Sequence, residues 1–401
     1  MLKKLHGRKL AVCLIGGAMY ALFSAFGWQA EHGGVIWAGG ALLVAALLVW
    51  PIAALLAVLL ERGYTRALRR EKTFRAGRAF AFILACYVPM FCVAFPGSFA
   101  YDVPYQLRQV VTGAYSTHHP LLHTLALGGL LQLGRALGDI NLGAALYTAL
   151  QMALLAGCFA LTCGSIARQS GARAAKRAAV FFALYPLNMV MAVNATKDVL
   201  FGGFFALTLA LLNEIREKPS RGLTMKIAAC GALAVMLRNN MAYAALVWLA
   251  ILTIGLRKAE KSAALAMLLA LAVGLCGNAA LKHATRAESG DMSEMLSWPI
   301  QQLARARLYD EERLTDAEKE AIDELMPGEA WACYDPTISD PVKFEFDTQA
   351  FRADVKKYVG VWLSVGKKCA GTYLDATMAL TYPFFYPYRE YRVSGYYVQM
   401  G

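Results

Sequence analysis

Asp102, Lys197, Asp198 and Arg238 are charged residues beside long apolar blocks. An ionisable group near a membrane is costly unless paired or hydrated, and it points to function by default. Asp102 closes the run Phe95-Pro-Gly-Ser-Phe-Ala-Tyr-Asp102, and the same loop continues to Tyr115-Ser-Thr-His118-His119-Pro120. Lys197 and Asp198 end Asn194-Ala-Thr-Lys-Asp198, while Arg238, Asn239 and Asn240 separate two apolar blocks. Gln301 and Gln302 follow Trp298-Pro-Ile300. Two cations and two carboxylates on one face could hold a phosphate beside a proton acceptor. Arginine grips phosphate in a fork and lysine acts on it as a point charge. An aspartate within reach of a hydroxyl serves as a general base.

Each of these residues also has a plainer reading. Asp102 could cap the turn that follows it. Lys197 and Asp198 could be a surface pair holding a loop, which adds little stability. Arg238 could snorkel to lipid headgroups, and Gln301 and Gln302 could be exposed residues on a helix. His119 and His123 are spaced to share one helix face and could hold a metal there. No HExxH motif or cysteine partner accompanies them, so contact with substrate or fixation of the loop is the favoured role for the histidines.

The elements that must position these residues are apolar. The 401-residue chain is 58% hydrophobic and 17% charged, with a mean hydropathy of +0.43. Its nearly charge-free blocks are Leu10–Gly27, Val35–Leu60, Ala79–Phe95, Leu142–Ala167, Ala178–Val193, Val199–Leu212, Ile227–Leu237, Met241–Leu256 and Ser262–Leu281. A membrane helix needs roughly 20 such residues. The pattern therefore predicts an all-α, polytopic membrane helix bundle of about nine transmembrane helices. The net charge of +12 is not a nucleic-acid signature, because 22 basic residues fall in alternate loops. These include Lys3, Lys4, Arg69, Arg70, Lys72, Arg168, Lys176, Arg216, Lys226 and Arg257. The opposite loops up to Leu281 hold only Arg108, Arg135, Lys197 and Arg238. By the positive-inside rule the N-terminus is cytoplasmic, and the candidate residues face outward from the cell (inner) membrane.

Leu121–Leu137 is apolar too, but a crossing there would invert every later basic loop. It is predicted as a re-entrant or interfacial helix in an outer catalytic loop, 96–141. The predicted division is a transmembrane bundle over 1–281 and an extracytoplasmic helical segment over 282–401, which carries a net charge of −5. In that segment Thr315 and Glu318 form a capping-box pattern, and Tyr358–Leu380 is amphipathic. Tyr382, Phe384, Phe385, Tyr386 and Tyr388 suit an interfacial belt. Cys333 and Cys369, alone of nine cysteines outside the apolar blocks, either pair in an oxidising compartment or stay as thiols. Pro89 and Pro186 mark places for kinks. No cleavable signal peptide is evident.

The arrangement resembles the GT-C superfamily of multi-pass glycosyltransferases, relatives of protein O-mannosyltransferases and aminoarabinose transferases, in an uncharacterised bacterial branch. The likeness covers about residues 80–390 and rests on Tyr101-Asp102, His118-His119-Pro120-Leu-Leu-His123, Ala195-Thr-Lys-Asp198, Leu237-Arg-Asn-Asn240 and Pro299-Ile-Gln-Gln302, in that order and on one side. It implies transfer of a sugar from a polyprenyl-phosphate carrier to an acceptor (glycan, lipid or protein) outside the cytoplasm. Asp102 would then be the catalytic acid, acting as base or as ligand to a divalent metal ion. Lys197 and Arg238 would meet the donor phosphate, with His118 and His119 near the sugar or acceptor. Two departures stand out. Asp102 is followed by Val103 where the family often pairs acidic residues, which weakens the metal role. Members of this branch also tend to continue into further membrane helices, whereas this sequence stops at Gly401, as a truncated or a shortened member would.

Two other functions compete. A transporter or flippase for a lipid-linked or anionic substrate would use the same outer cations, although internal repeats and midplane polar sites are missing from the sequence. A scaffold whose outer segment binds a partner would make the membrane-proximal motifs dispensable.

Overall fold

Alanine- and leucine-rich runs favour helix, and proline and glycine punctuate them. In the computed structural model the described residues are 7–32, 39–67, 74–253, 258–290, 292–384 and 386. From the N-terminus come α1 (Gly7–His32), α2 (Gly39–Ala67), α3 (Ala76–Val93), β1 (Ser98–Phe99), α4 (Val103–Thr112), α5 (Leu121–Ala136) and α6 (Ile140–Ser170). There follow α7 (Ala172–Leu184), α8 (Pro186–Ala192), β2 (Asn194–Ala195), α9 (Lys197–Glu217), α10 (Arg221–Leu237), α11 (Met241–Thr253) and α12 (Lys258–Thr285). The remainder holds α13 (Ser297–Tyr309), α14 (Asp316–Leu325), α15 (Asp340–Lys343), α16 (Thr348–Ala353), α17 (Val355–Lys368) and α18 (Ala370–Thr381).

Four helices are long and apolar enough to cross a membrane: Ala76–Val93, Ile140–Ser170, Lys197–Glu217 and Lys261–Thr285. Shorter apolar stretches, Cys13–Trp28, Leu43–Val58 and Met241–Ala250, lie in α1, α2 and α11. The fifth apolar block is not one helix. Tyr185 is extended (φ −67°, ψ 117°), as a residue before proline prefers, and Pro186 opens α8. Pro89 leaves α3 unbroken.

The described residues pack as two units, one from within 1–62 and 291–393 and the other from within 63–290. In the second, α6 is the hub, packing on α3, α5, α7 and α9, while α10 packs between α9 and α12. α5 lies along α6 and buries Leu121, His123, Thr124, Leu127 and Leu131. That approach depends on two glycines: a Cβ on Gly134 would come within 2.3 Å of the Gly143 nitrogen, and one on Gly143 within 2.4 Å of the Leu130 carbonyl oxygen. Close helix contact through small residues suits a bundle in lipid, where apolar burial between helices gains little over lipid itself.

In the other unit α13 centres a core of Ile300, Leu303, Ile322, Leu325, Val342 and Val365. The predicted capping box forms, with Thr315 Oγ1 accepting from Glu318 N and Glu318 accepting from Thr315 N. Glu318 also accepts from Lys368 and Ser364, tying α14 to α17. Burial opposes its charge, but these donors win and hold its pKa down to about 2. The amphipathic stretch Tyr358–Leu380 divides into α17 and α18 at Cys369. Cys333 is exposed and Cys369 buried, and both are free thiols. Phe26 of α1 packs on Met378 and Ala379 of α18. Of the aromatic belt, Phe385 and Tyr388 lie outside the described residues, as do Lys3, Lys4, Arg69, Arg70, Lys72 and Arg257 of the basic clusters.

Candidate functional site

The site begins with a ladder of two residues per strand. β1 and β2 pair in parallel, Ser98 opposite Asn194 and Phe99 opposite Ala195. Ser98 N donates to Val193 O at 2.9 Å and Ala100 N to Ala195 O at 3.3 Å. Because the pairing is parallel, both chains leave it in one direction and deliver Asp102 and Lys197 together. Gly97 permits the approach. Its φ of 129° suits glycine, and a Cβ there would lie 2.2 Å from Thr148 Oγ1.

Asp102 occupies the N-cap position of α4, yet its side chain caps nothing there. Its carboxylate instead forms an ion pair with the Lys197 ammonium, and His119 Nδ1 lies 3.9 Å from the same oxygen. Thr196 caps α9 by accepting from Asp198 N at 3.4 Å, which sets Lys197 and Asp198 in the first turn. Asp198 pairs with the guanidinium of Arg238, which stands just past the end of α10 in extended conformation and lies 5.8 Å from the centre of the Phe201 ring. Asp102–Lys197 and Asp198–Arg238 are therefore two ion pairs drawn from three loops, anchored on consecutive residues in the first turn of α9. They are half-buried, with side-chain exposure near 15% in Asp102–Lys197 and 40% in Asp198–Arg238.

The histidine loop is pinned from the end of α12. Glu288 N donates to Tyr115 O and Thr117 N to Glu288 O, both at 2.9 Å, while Gly290 N donates to Thr117 Oγ1 at 2.9 Å. Asn239 Nδ2 reaches Thr117 O at 3.4 Å, joining the Arg238 turn to the same loop. Asn240 is exposed beside it. His118 meets His119 edge-on at 4.6 Å between ring centres.

Beneath the pairs lies a buried polar chain. His123 Nδ1 contacts Gln106 Oε1 at 3.1 Å, and His123 Nε2 contacts the Tyr147 hydroxyl at 2.8 Å. Gln106 Nε2 donates to Thr124 Oγ1 at 3.0 Å. Gln151 accepts from Tyr147 at 3.1 Å and donates to Ala192 O and Asn194 O at 3.0 and 2.9 Å, so the chain ends on β2. Burial, then the charges of Lys197 and His119, push the His123 pKa down to about 4 against the pull of Asp102. It is a neutral imidazole at neutral pH. With both ring nitrogens engaged, His123 is not available to share a metal with His119.

Gln301 and Gln302 belong to the other unit and make their bonds within it. Gln301 is fully buried and donates to Asp335 O and Ile338 O, both at 2.8 Å. Gln302 donates to Thr377 Oγ1 at 2.9 Å and accepts from Trp362 Nε1 at 2.8 Å. Both glutamines lock α13 to its neighbours, rather than lying exposed on a helix. Sequence reasoning passed over Gln106, Thr124, Tyr147, Gln151 and Glu288. The available signal was Tyr147 and Gln151, polar side chains four apart on one face of a mostly apolar helix, where buried polar groups need partners.

Fold and site together define a helical protein with several helices able to cross a membrane and two ion pairs at their ends. Residues 111–401 match the family of unknown function DUF6020, and the chain belongs to that family. The matched region contains His118, His119, Lys197, Asp198 and Arg238, and begins after Asp102. No curated protein and no solved structure matches the chain.

Proposed function

We propose that this protein transfers a sugar from a polyprenyl-phosphate carrier to an acceptor on the outer face of the cytoplasmic membrane, as a GT-C-like glycosyltransferase in a bundle of about nine crossings. The observation that carries the reading is the two ion pairs, Asp102–Lys197 and Asp198–Arg238, assembled at the start of α9 from loops far apart in sequence. They offer two cations for a phosphate and a carboxylate for a proton at the start of one helix.

Both cations are already neutralised by carboxylates, so a phosphate must exchange partners to bind. When Lys197 turns to the donor phosphate, Asp102 loses its ion pair and becomes free to accept the acceptor's hydroxyl proton. The acceptor oxygen then attacks the anomeric carbon and the carrier phosphate leaves with the bonding electrons. Arg238 holds that phosphate as charge develops on it. His119, close to Asp102, is placed to hydrogen-bond the sugar or acceptor, and His118 stands behind it. Val103 rather than a second acidic residue follows Asp102, which favours the base role over that of a metal ligand.

Asp102→Asn tests the reading. With purified protein and a polyprenyl-phosphate sugar, transfer should fall by about 10²-fold or more, the range of a lost general base, while expression and membrane insertion stay normal. Retained turnover removes Asp102 from the chemistry.

A further inference from the structure

We infer that the Gln106 amide is a proton-driven switch, with its nitrogen toward His123 Nδ1 while the ring is neutral and its oxygen there once the ring takes a second proton. The far end of the buried chain sets the direction. Ala192 O and Asn194 O can only accept, so the Gln151 nitrogen faces them, at 3.0 and 2.9 Å, and its oxygen faces Tyr147 at 3.1 Å. The Tyr147 hydroxyl has a single proton and gives it to Gln151. It can therefore only accept from His123 Nε2, 2.8 Å away, so Nε2 carries a proton. The opposite tautomer would draw the Tyr147 proton to Nε2. Two buried oxygens, of Tyr147 and Gln151, would then face each other at 3.1 Å with no proton between them.

Gln106 decides the other nitrogen. An amide fits its site either way round, and the protons on its neighbours select the orientation. With the oxygen at Nδ1 and the nitrogen at Thr124, the ring must be protonated twice. That imidazolium would be buried, facing Lys197 of α9, His119 ahead of α5, Asp102 ahead of α4 and the uncharged hydroxyl of Tyr147 on α6. Burial, Lys197 and His119 outweigh Asp102, and the ring is neutral at neutral pH. A half-turn of the amide meets that state. Its nitrogen donates to Nδ1 across the same 3.1 Å, and its oxygen accepts from the Thr124 hydroxyl across 3.0 Å. Thr124 gives up a 3.2 Å bond to Pro120 O, which still accepts from Thr124 N at 3.1 Å. In both states each link of the chain holds one proton. As a result α4 keeps its hold on α5 while a charge comes and goes beneath the Asp102–Lys197 pair. None of this requires sugar transfer.

Nitrogen NMR tests it on the full-length protein in detergent micelles, with isotope-labelled histidine and glutamine. His123→Gln and Gln106→Leu identify the two residues by the signals they remove, or backbone assignment does so where a variant fails to fold. At neutral pH Nε2 should resonate as a protonated nitrogen and Nδ1 as a bare one, far downfield of it. On acidification Nδ1 should gain a proton, and the Gln106 amide signal should shift with the same midpoint. A protonated Nδ1 at neutral pH, in the opposite tautomer or in an imidazolium, would overturn the neutral orientation. A Gln106 signal that stays put as His123 titrates, or an Nδ1 that stays bare until the protein unfolds, would overturn the switch.

Discussion

Asp102 holds a helix-cap position and declines the cap, giving its carboxylate to a lysine 95 residues away. An isolated first-turn aspartate would normally accept a backbone N–H, because those donors have no helical partner. The local choice is overridden because Lys197, mostly buried beside it, would otherwise be an unpaired charge. The pair is only part-buried, so losing one member costs less than the about 3–5 kcal/mol of a fully buried pair. Asp102→Asn keeps the shape of the side chain and one acceptor oxygen for Lys197 while removing the charge, and so separates charge from packing. The polar chain below makes its own prediction. Tyr147→Phe removes the hydroxyl facing His123 Nε2 and Gln151 Oε1 and should destabilise the protein by about 1–3 kcal/mol, measured by thermal unfolding in detergent. Acidity should act through His123. Its native pKa near 4 lies below the ordinary 6.5, so between those values the unfolded chain binds the proton and the native state does not. Stability should fall as pH drops from 6.5 to 4, and His123→Gln should flatten that slope. The charged residues were legible in the sequence because charge is rare beside apolar blocks. Their pairing was not, since it hangs on a two-residue ladder too short to leave any alternating pattern.

The elements tell a similar story of strong signals read and weak ones missed. Helix content and the apolar blocks followed from composition, and the Thr315–Glu318 capping box from four residues. Pro186 signalled a kink and produced a full break, because its neighbour Tyr185 is held extended. α5, expected as a re-entrant or interfacial helix, packs on α6 through its own Gly134 and the facing Gly143 of α6. Those glycines give a clean comparison. Gly143→Ala would drive a methyl into the Leu130 carbonyl, backbone that cannot step aside, and should cost about 3 kcal/mol or more. Gly129→Ala, on the same hairpin, faces open space and should gain up to about 1 kcal/mol from helix propensity. Unfolding midpoints of the two variants should therefore move in opposite directions.

Across the larger unit, polar groups gather at the ends of helices. α9 begins with Lys197 and Asp198 and carries in its last turn Glu214, which accepts from Arg168 Nε and Nη2 at 2.5 and 2.8 Å and from Ser165 at 2.7 Å. Sixteen residues of helix separate Asp198 from Glu214, roughly 24 Å at the usual rise, close to the apolar thickness of a bilayer. The proposed outer-face function requires the Arg168–Glu214 end to be cytoplasmic and the Asp102 end to be outside, as the positive-inside pattern predicts. In a cysteine-free background, a membrane-impermeant thiol reagent should label Asn240→Cys on intact cells and Lys176→Cys only after permeabilisation. The reverse would invert the protein and end the outer-face proposal.

Phosphate capture by the two ion pairs is tested most directly by the affinity of the purified protein for a sugar-free polyprenyl phosphate. Arg238→Ala should weaken binding about tenfold, the loss of one charge-assisted contact of about 1.4 kcal/mol. Asp198→Asn, which removes the carboxylate competing for Arg238, should tighten it. If wild type binds and both variants match it, these pairs are not where the phosphate sits.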